Sequence, residues 1–141
     1  CGWKSSVEHL KLYSHIDIAL DTYPYTGTMT SLEAMWMGVP VISLYGDSDS
    51  YFLSRVGLSI LGRIGLEFFA CPTPDEYVAK ATALSQNLEA LAKIRASMRL
   101  RMANSTLCDA KGYAASVEAA YRKMWHKWCK NRDSDTGTGT T

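Results

Sequence analysis

The chain has 141 residues, 47% of them apolar, and a formal net charge of +1. That is enough for one domain with a buried core, and it argues against a broad basic footprint for nucleic acid or an anionic membrane. No apolar run reaches the length of a membrane span, no signal peptide opens the chain, and the four cysteines (Cys1, Cys71, Cys108, Cys129) form no CxxC pair.

The scattered cysteines read as free or buried thiols of a reducing, cytoplasmic setting, not as a disulfide framework. The histidines lack ligand spacing, so no metal is expected. The chain opens on Cys1, and no strand precedes its first helix. It reads as a fragment that begins inside a larger domain.

Ser5-Ser6-Val7-Glu8 signals a helix start, a hydroxyl with Glu three residues on, and the helix is predicted to run to about Ser14. Ile16 to Tyr23 follows as a short buried strand, ended by Pro24. A helix is predicted over Thr30 to Met37, closed by Gly38 with Pro40 beyond. Val41 to Tyr45 reads as a second buried strand, and Gly46 to Ser50 as a loop. Leu53, Val56, Ile60 and Leu61 then share one helix face, with a stop near Gly62 or Gly65. Leu66 to Ala70 is predicted as a third strand.

From Thr73 onward the chain is predicted helical. Thr73-Pro74-Asp75-Glu76 forms a capping box with proline at the first helical position. Asn87 separates this helix from the next, whose stripe is Leu88, Leu91, Ile94, Met98 and Met102. Asp109 caps a last helix with Tyr113, Val117, Tyr121, Met124 and Trp128 on one face. The tail from Asn131 is polar and small, and is predicted disordered. The fold class is therefore α/β: three short parallel strands forming the C-terminal half of a doubly wound, Rossmann-like domain, with a helical C-terminal extension. Residues 1–130 make up this partial lobe and 131–141 the tail.

In such sheets ligands bind beyond the carboxyl ends of the strands, where the turn Tyr25 to Ser31 sits. Gly27 lets backbone approach a ligand closely. The following helix start offers unpaired N–H groups and partial positive charge. Thr28, Thr30 and Ser31 add hydroxyls, and without a lysine the set suits a diphosphate that must later leave. Glu33, one turn further in, can accept from two sugar hydroxyls. Thr30-Ser31-Leu32-Glu33 is equally a capping box, and the two roles are compatible. Asp21, at the strand's carboxyl end, is placed to orient the turn. Arg55 stands at the next such end, facing either a sugar diphosphate or Asp47 and Asp49. Trp36, Trp125 and Trp128 read as packing residues, and Arg95, Arg99 and Arg101 as a solvated helix face.

The stretch DIALDTYPYTGTMTSLEAMWMGVPVISL, then SRVG and the late YRKMWHKWC, resembles the C-terminal catalytic lobe of the O-linked N-acetylglucosamine transferase and SPINDLY-type protein glycosyltransferases. The resemblance covers roughly Val7 to Lys130. It implies the GT-B fold, a nucleotide-sugar donor of the UDP-GlcNAc or GDP-fucose type, and transfer to Ser or Thr hydroxyls of a protein acceptor. It implies no metal cofactor. Gly27, Thr28, Met29 and Thr30 match the turn that holds the diphosphate, with Met29 where threonine is usual. Glu33 matches the acidic residue on the ribose, and His9 a histidine against the base. Ser6 stands where animal members carry a phosphate-binding lysine, which leaves Lys4 as a candidate substitute. The general base is not identified. An upstream lobe is expected outside the chain, where the preceding sequence decides whether helical repeats come before the catalytic region, and little activity is expected from the chain alone. The alternatives are another Rossmann-like nucleotide binder, against which the absence of GxGxxG counts, and a non-catalytic module docking through its aromatic last helix.

Overall fold

A computed structural model describes residue 2, residues 4–46 and residues 51–136, with side chains as far as Arg132. Cys1, the Asp47–Ser50 part of the predicted loop and residues 137–141 of the predicted tail lie outside the described residues. The chain divides into two units, Cys1–Cys108 and Asp109–Thr141.

The first unit is built on three parallel strands in the order β1-β2-β3, with β1 at Ala19–Leu20, β2 at Val41–Leu44 and β3 at Ala70–Cys71. Ala19 pairs with Val41, Leu20 with Ile42, Ser43 with Ala70 and Leu44 with Cys71. The central strand and β3 are buried: Val41, Ile42 and Ser43 of β2, and Ala70 and Cys71 of β3. Helices α2 (Met29–Trp36), α3 (Val56–Arg63) and α4 (Pro74–Gln86) rest on β2, and α5 (Leu88–Ala103) packs against α2 and α4. Met35, Ile42, Leu61, Leu66 and Met98 lie at the centre of this core. Each such side chain contributes about 1.5–3 kcal/mol through the water it no longer meets.

Local signals account for most boundaries. Helix α1 (Ser6–Leu12) opens with a complete capping box. The Ser5 amide donates to Glu8 Oε2 at 2.9 Å, and the Glu8 amide donates to Ser5 Oγ. Thr73 caps α4 by accepting from the Glu76 amide, with Pro74 at the first position. Asn87 ends α4 and starts α5, its Oδ1 accepting from the Ala90 amide at 3.0 Å. Gly38 and Gly65 take positive φ (84° and 68°) just past α2 and α3, a conformation that excludes most side chains.

Several expectations are corrected. The regular part of β1 is two residues, not the predicted Ile16 to Tyr23, because Arg95 takes the carbonyls of Ile16 and Asp17 out of any ladder. Leu66 to Ala70 is mostly a tight 3-10 turn at Glu67–Phe69, and the strand is Ala70–Cys71. Leu66 and Phe69 point inward three residues apart while Glu67 and Phe68 are exposed, a period that suits a turn and not a strand. The Phe52–Arg55 segment before α3 is also 3-10, so the predicted helix through Leu53 begins at Val56.

Arg99 and Arg101 of α5 are exposed, as the sequence suggests, and Arg95 is half-buried, but each of the three also reaches a backbone carbonyl. Arg95 donates to the Ile16 carbonyl at 2.7 Å and lies 3.6 Å from the Asp17 carboxylate. Arg99 donates to the carbonyl of Trp36, the last residue of α2, and covers its ring at 5.3 Å. Arg101 donates to the Ile64 carbonyl at the end of α3. Two of these cations thus meet helix C-termini, where carbonyls are unpaired and the backbone dipoles favour positive charge.

The second unit carries α6 (Ala110–Thr136). Asp109 caps it as predicted, its Oδ1 accepting from the Gly112 amide at 2.9 Å. The helix runs past Lys130 into the predicted tail, because no glycine or proline interrupts the sequence between Tyr113 and Thr136. Tyr113, Tyr121, Met124, Trp125 and Trp128 are exposed, and the Trp125 and Trp128 rings stack 5.2 Å apart. No helix among the described residues is long and apolar enough to cross a membrane.

Candidate functional site

The turn after β1 is tied together by one carboxylate. Asp21 Oδ1 accepts from the Gly27 amide at 2.7 Å and from the Thr22 amide at 3.0 Å. Its Oδ2 accepts from Ser43 Oγ on β2 at 2.9 Å. The backbone of Asp21 is pinned as well: its amide donates to the Ile42 carbonyl, and its carbonyl accepts from the Tyr77 hydroxyl on α4. Thr26, fully buried, donates from Oγ1 to the Leu53 carbonyl at 2.8 Å and accepts from the Gly57 amide at 3.2 Å. The turn is thereby joined to the start of α3. Ser54, also buried, donates to the carbonyls of Tyr45 and Tyr51 and fixes the 3-10 turn beneath.

Both glycines in this network stand in crowded surroundings, where an added Cβ would force a neighbour to shift. A Cβ on Gly27 meets Ser31 Oγ at 2.3 Å and Thr30 Oγ1 at 2.8 Å. One on Gly57 meets Ser43 Oγ at 2.1 Å. Gly27 is therefore where the backbone of the turn comes closest to the hydroxyls of Ser31 and Thr30.

The predicted capping box at Thr30 to Glu33 does not form. The helix starts earlier, with Thr28 as its N-cap (φ −115°, ψ −82°) and no side-chain hydrogen bond at the cap. The turn is fixed from outside, by Asp21 and by the Tyr13 hydroxyl donating to the Thr30 carbonyl, so the threonine hydroxyls are not needed to start the helix. The internal ladder begins where the Leu32 amide donates to the Thr28 carbonyl. The amides before it, and the hydroxyls of Thr28 and Thr30, stand at an exposed helix mouth beside Met29. Such a mouth attracts anions.

Glu33 and His9 meet across α1 and α2, with Nε2 and Oε2 3.4 Å apart and both side chains partly exposed. The imidazole also lies edge-on to the Tyr13 ring, 5.5 Å between centroids. An open cleft of about 740 Å3 is lined by Lys4, Ser5, Ser6, His9 and Glu33, among others. Lys4 and Ser6 thus share one wall system with the two predicted nucleotide contacts. A smaller recess of about 190 Å3 borders Asp21, Gly27, Thr30 and Ser31.

Arg55 is the N-cap residue of α3, two positions before Gly57, and its guanidinium lies 5.7 Å from the centre of the Tyr45 ring. Its alternative partners Asp47 and Asp49 lie outside the described residues. The structure therefore gathers Gly27, Thr30 and the helix mouth at one point and His9 with Glu33 at another, one turn along the same helix. Sequence reasoning missed Thr26 and Ser43, and gave Gly57 no role within the SRVG stretch that it singled out. Their signal was a lone serine within the apolar run Val41 to Leu44 and the spacing of Ser54-Arg55-Val56-Gly57. Among the described residues, no three His, Cys, Asp or Glu side chains are grouped to hold a metal ion.

Residues 4–117 match the family described as Glycosyl transferase family 41. This chain belongs to glycosyl transferase family 41. Among its relatives, the probable UDP-N-acetylglucosamine–peptide N-acetylglucosaminyltransferase SPINDLY of Arabidopsis thaliana is 41% identical over 123 residues, covering 87% of this chain and 13% of its own length. The SPINDLY protein of Hordeum vulgare is 40% identical over 122 residues, again 13% of its length. The UDP-N-acetylglucosamine–peptide N-acetylglucosaminyltransferase of Caenorhabditis elegans is 30% identical over 134 residues. A solved mutant of the O-GlcNAc transferase of Thermobaculum terrenum superposes with a TM-score of 0.82 at 38% identity, over 92% of this chain and 24% of that one. The family 41 chain described here thus spans a small part of the relatives it matches, and its three-stranded sheet and helices correspond to part of a glycosyltransferase fold.

Proposed function

We propose that this chain forms the donor-binding part of a protein O-glycosyltransferase, one that moves a sugar from a nucleotide sugar to Ser or Thr hydroxyls of a protein acceptor. The observation that carries the reading is the open helix mouth at Thr28 to Thr30, with Glu33 one turn on, in a chain of family 41. A departing nucleoside diphosphate gains negative charge as the acceptor hydroxyl attacks the anomeric carbon. Amides and hydroxyls already aimed at that charge lower the barrier without reorganising. In this reading the amides of Thr28, Met29 and Thr30 receive the diphosphate, Gly27 keeps the approach open, and Glu33 accepts from the ribose hydroxyls. His9 lies against the base, and Arg55 faces the sugar diphosphate. Lys4 supplies the cation that Ser6 cannot, and no metal is called for.

The relatives' names favour UDP-N-acetylglucosamine as donor, and GDP-fucose is the competitor to test. The acceptor site and any upstream repeats belong to the remainder of the protein, and the free thiols of Cys71, Cys108 and Cys129 suit a cytoplasmic setting. Calorimetry of the full-length protein against UDP, GDP and their sugars is the test. Binding of one nucleoside diphosphate, weakened in Thr30→Val and Glu33→Ala, is expected. Tight binding that both variants retain would move the donor site elsewhere.

A further inference from the structure

We propose that Asp21 is a positioning residue for the diphosphate, acting through Gly27 although it is itself an anion. The inference rests on the donor-binding reading above. Asp21 Oδ1 accepts the Gly27 N–H at 2.7 Å, which turns that amide inward and removes it from the set available to a ligand. The next amides along the chain are those of the helix mouth. Fixing the peptide plane before Gly27 therefore sets where the N–H groups of Thr28, Met29 and Thr30 point.

The carboxylate is held in turn by Ser43 Oγ at 2.9 Å and by the Thr22 amide at 3.0 Å, while the Tyr77 hydroxyl and the Ile42 carbonyl grip its backbone. Every polar atom of Asp21 is engaged, by β2, by α4 and by the turn itself. Hydrogen bonds to a charged acceptor are the stronger kind, and a donor set held to within a fraction of an ångström is what transition-state stabilisation requires.

Coulomb's law alone gives the opposite sign. A carboxylate near a diphosphate repels it, so removing the charge tightens binding. Positioning predicts a loss instead, and the two accounts separate cleanly. Asparagine is the informative conservative change. Its Oδ1 accepts from the Gly27 and Thr22 amides, and its Nδ2 donates to Ser43 Oγ, so the turn keeps its shape.

The test uses the full-length protein and whichever of UDP or GDP the wild type binds, alongside the matching nucleoside. In Asp21→Ala, affinity for the diphosphate is expected to fall about 10- to 100-fold while affinity for the nucleoside stays within about twofold. Asp21→Asn is expected to restore the ratio, and Ser43→Ala to give a smaller loss of the same kind should Asp21→Ala fail to fold. Equal losses for diphosphate and nucleoside, or tighter diphosphate binding in Asp21→Ala, would overturn the inference. A wild type that binds neither UDP nor GDP overturns the donor reading itself and takes this inference with it. That result is visible before any Asp21 variant is made.

Discussion

The imidazole of His9 and the carboxylate of Glu33 stand 3.4 Å apart, one from α1 and one from α2, although 24 positions separate them in the chain. They form an ion pair only when the imidazole is protonated. Each is also a proposed contact to a nucleotide, so a bound nucleotide competes for groups that face each other in its absence.

Glu33→Ala is therefore expected to weaken binding of the nucleoside diphosphate by about 10- to 100-fold, the loss of charge-assisted hydrogen bonds to the ribose. His9→Ala removes a ring contact and costs about 2- to 10-fold. Titration calorimetry on the two variants gives the order. A larger loss in His9→Ala would reverse the assignment of the stronger contact.

Gly27→Ala tests the close-approach point. The added methyl meets Ser31 Oγ at 2.3 Å, and Ser31 is buried, so it has little room to swing away. Crowding of this kind costs about 1–3 kcal/mol. Diphosphate binding is expected to be lost, and the double variant Gly27→Ala with Ser31→Ala to recover part of it. Unchanged binding in Gly27→Ala would show that the turn has slack.

Alkaline titration should report on Tyr77 together with Tyr13. Burial pushes its phenol above the ordinary value of 10.0, and the charges of Asp21 and Cys71 push it further. Tyr13 is raised likewise, by burial and then by Glu33. A raised folded-state value means that the neutral phenol stabilises the fold fully below pH about 10, and that this contribution is lost as pH rises through the folded value. Ultraviolet titration is expected to show a late-ionising fraction that shrinks in Tyr77→Phe. The same variant, lacking the hydrogen bond to the Asp21 carbonyl, melts earlier at neutral pH and shows a flatter alkaline limb.

The thiols divide by environment. Cys71 is fully buried in β3, and burial raises its thiol above the ordinary 9.0 although Lys80 pulls the other way. Cys108 is exposed. Iodoacetamide is expected to label Cys108 in the native protein and Cys71 only after denaturation, since the thiolate is the reactive form. Peptide mass mapping over a time course reads this directly. Early labelling of Cys71 would mean that β3 opens readily.

Most capping signals and the central strand were legible in the sequence because each rests on neighbours within a few positions, the box at Thr30 to Glu33 being the exception. Ser5 with Glu8, Thr73 before Pro74 and Asn87 between two helices are of this kind. The short apolar runs misled. Leu66 to Ala70 is as apolar as a strand, and only the inward spacing of Leu66 and Phe69 marks it as a turn. The roles of Arg95, Arg99 and Arg101 were hidden for another reason. Their partners are backbone carbonyls more than 35 positions away, and a carbonyl has no letter in a sequence. At the candidate site, Gly27, Thr30 and Glu33 were legible from spacing, whereas the tie between Asp21 and Ser43 exists only once two strands lie side by side.

Ser43 and Gly57 share one small volume, since a methyl on the glycine falls 2.1 Å from the serine oxygen and 2.8 Å from its Cβ. These two sites are thus expected to drift together over evolutionary time: a lineage that gains bulk at one must shed it at the other. Selection acting on Ser43 is doubly constrained, because shrinking it to glycine makes room for its neighbour only by releasing the carboxylate of Asp21.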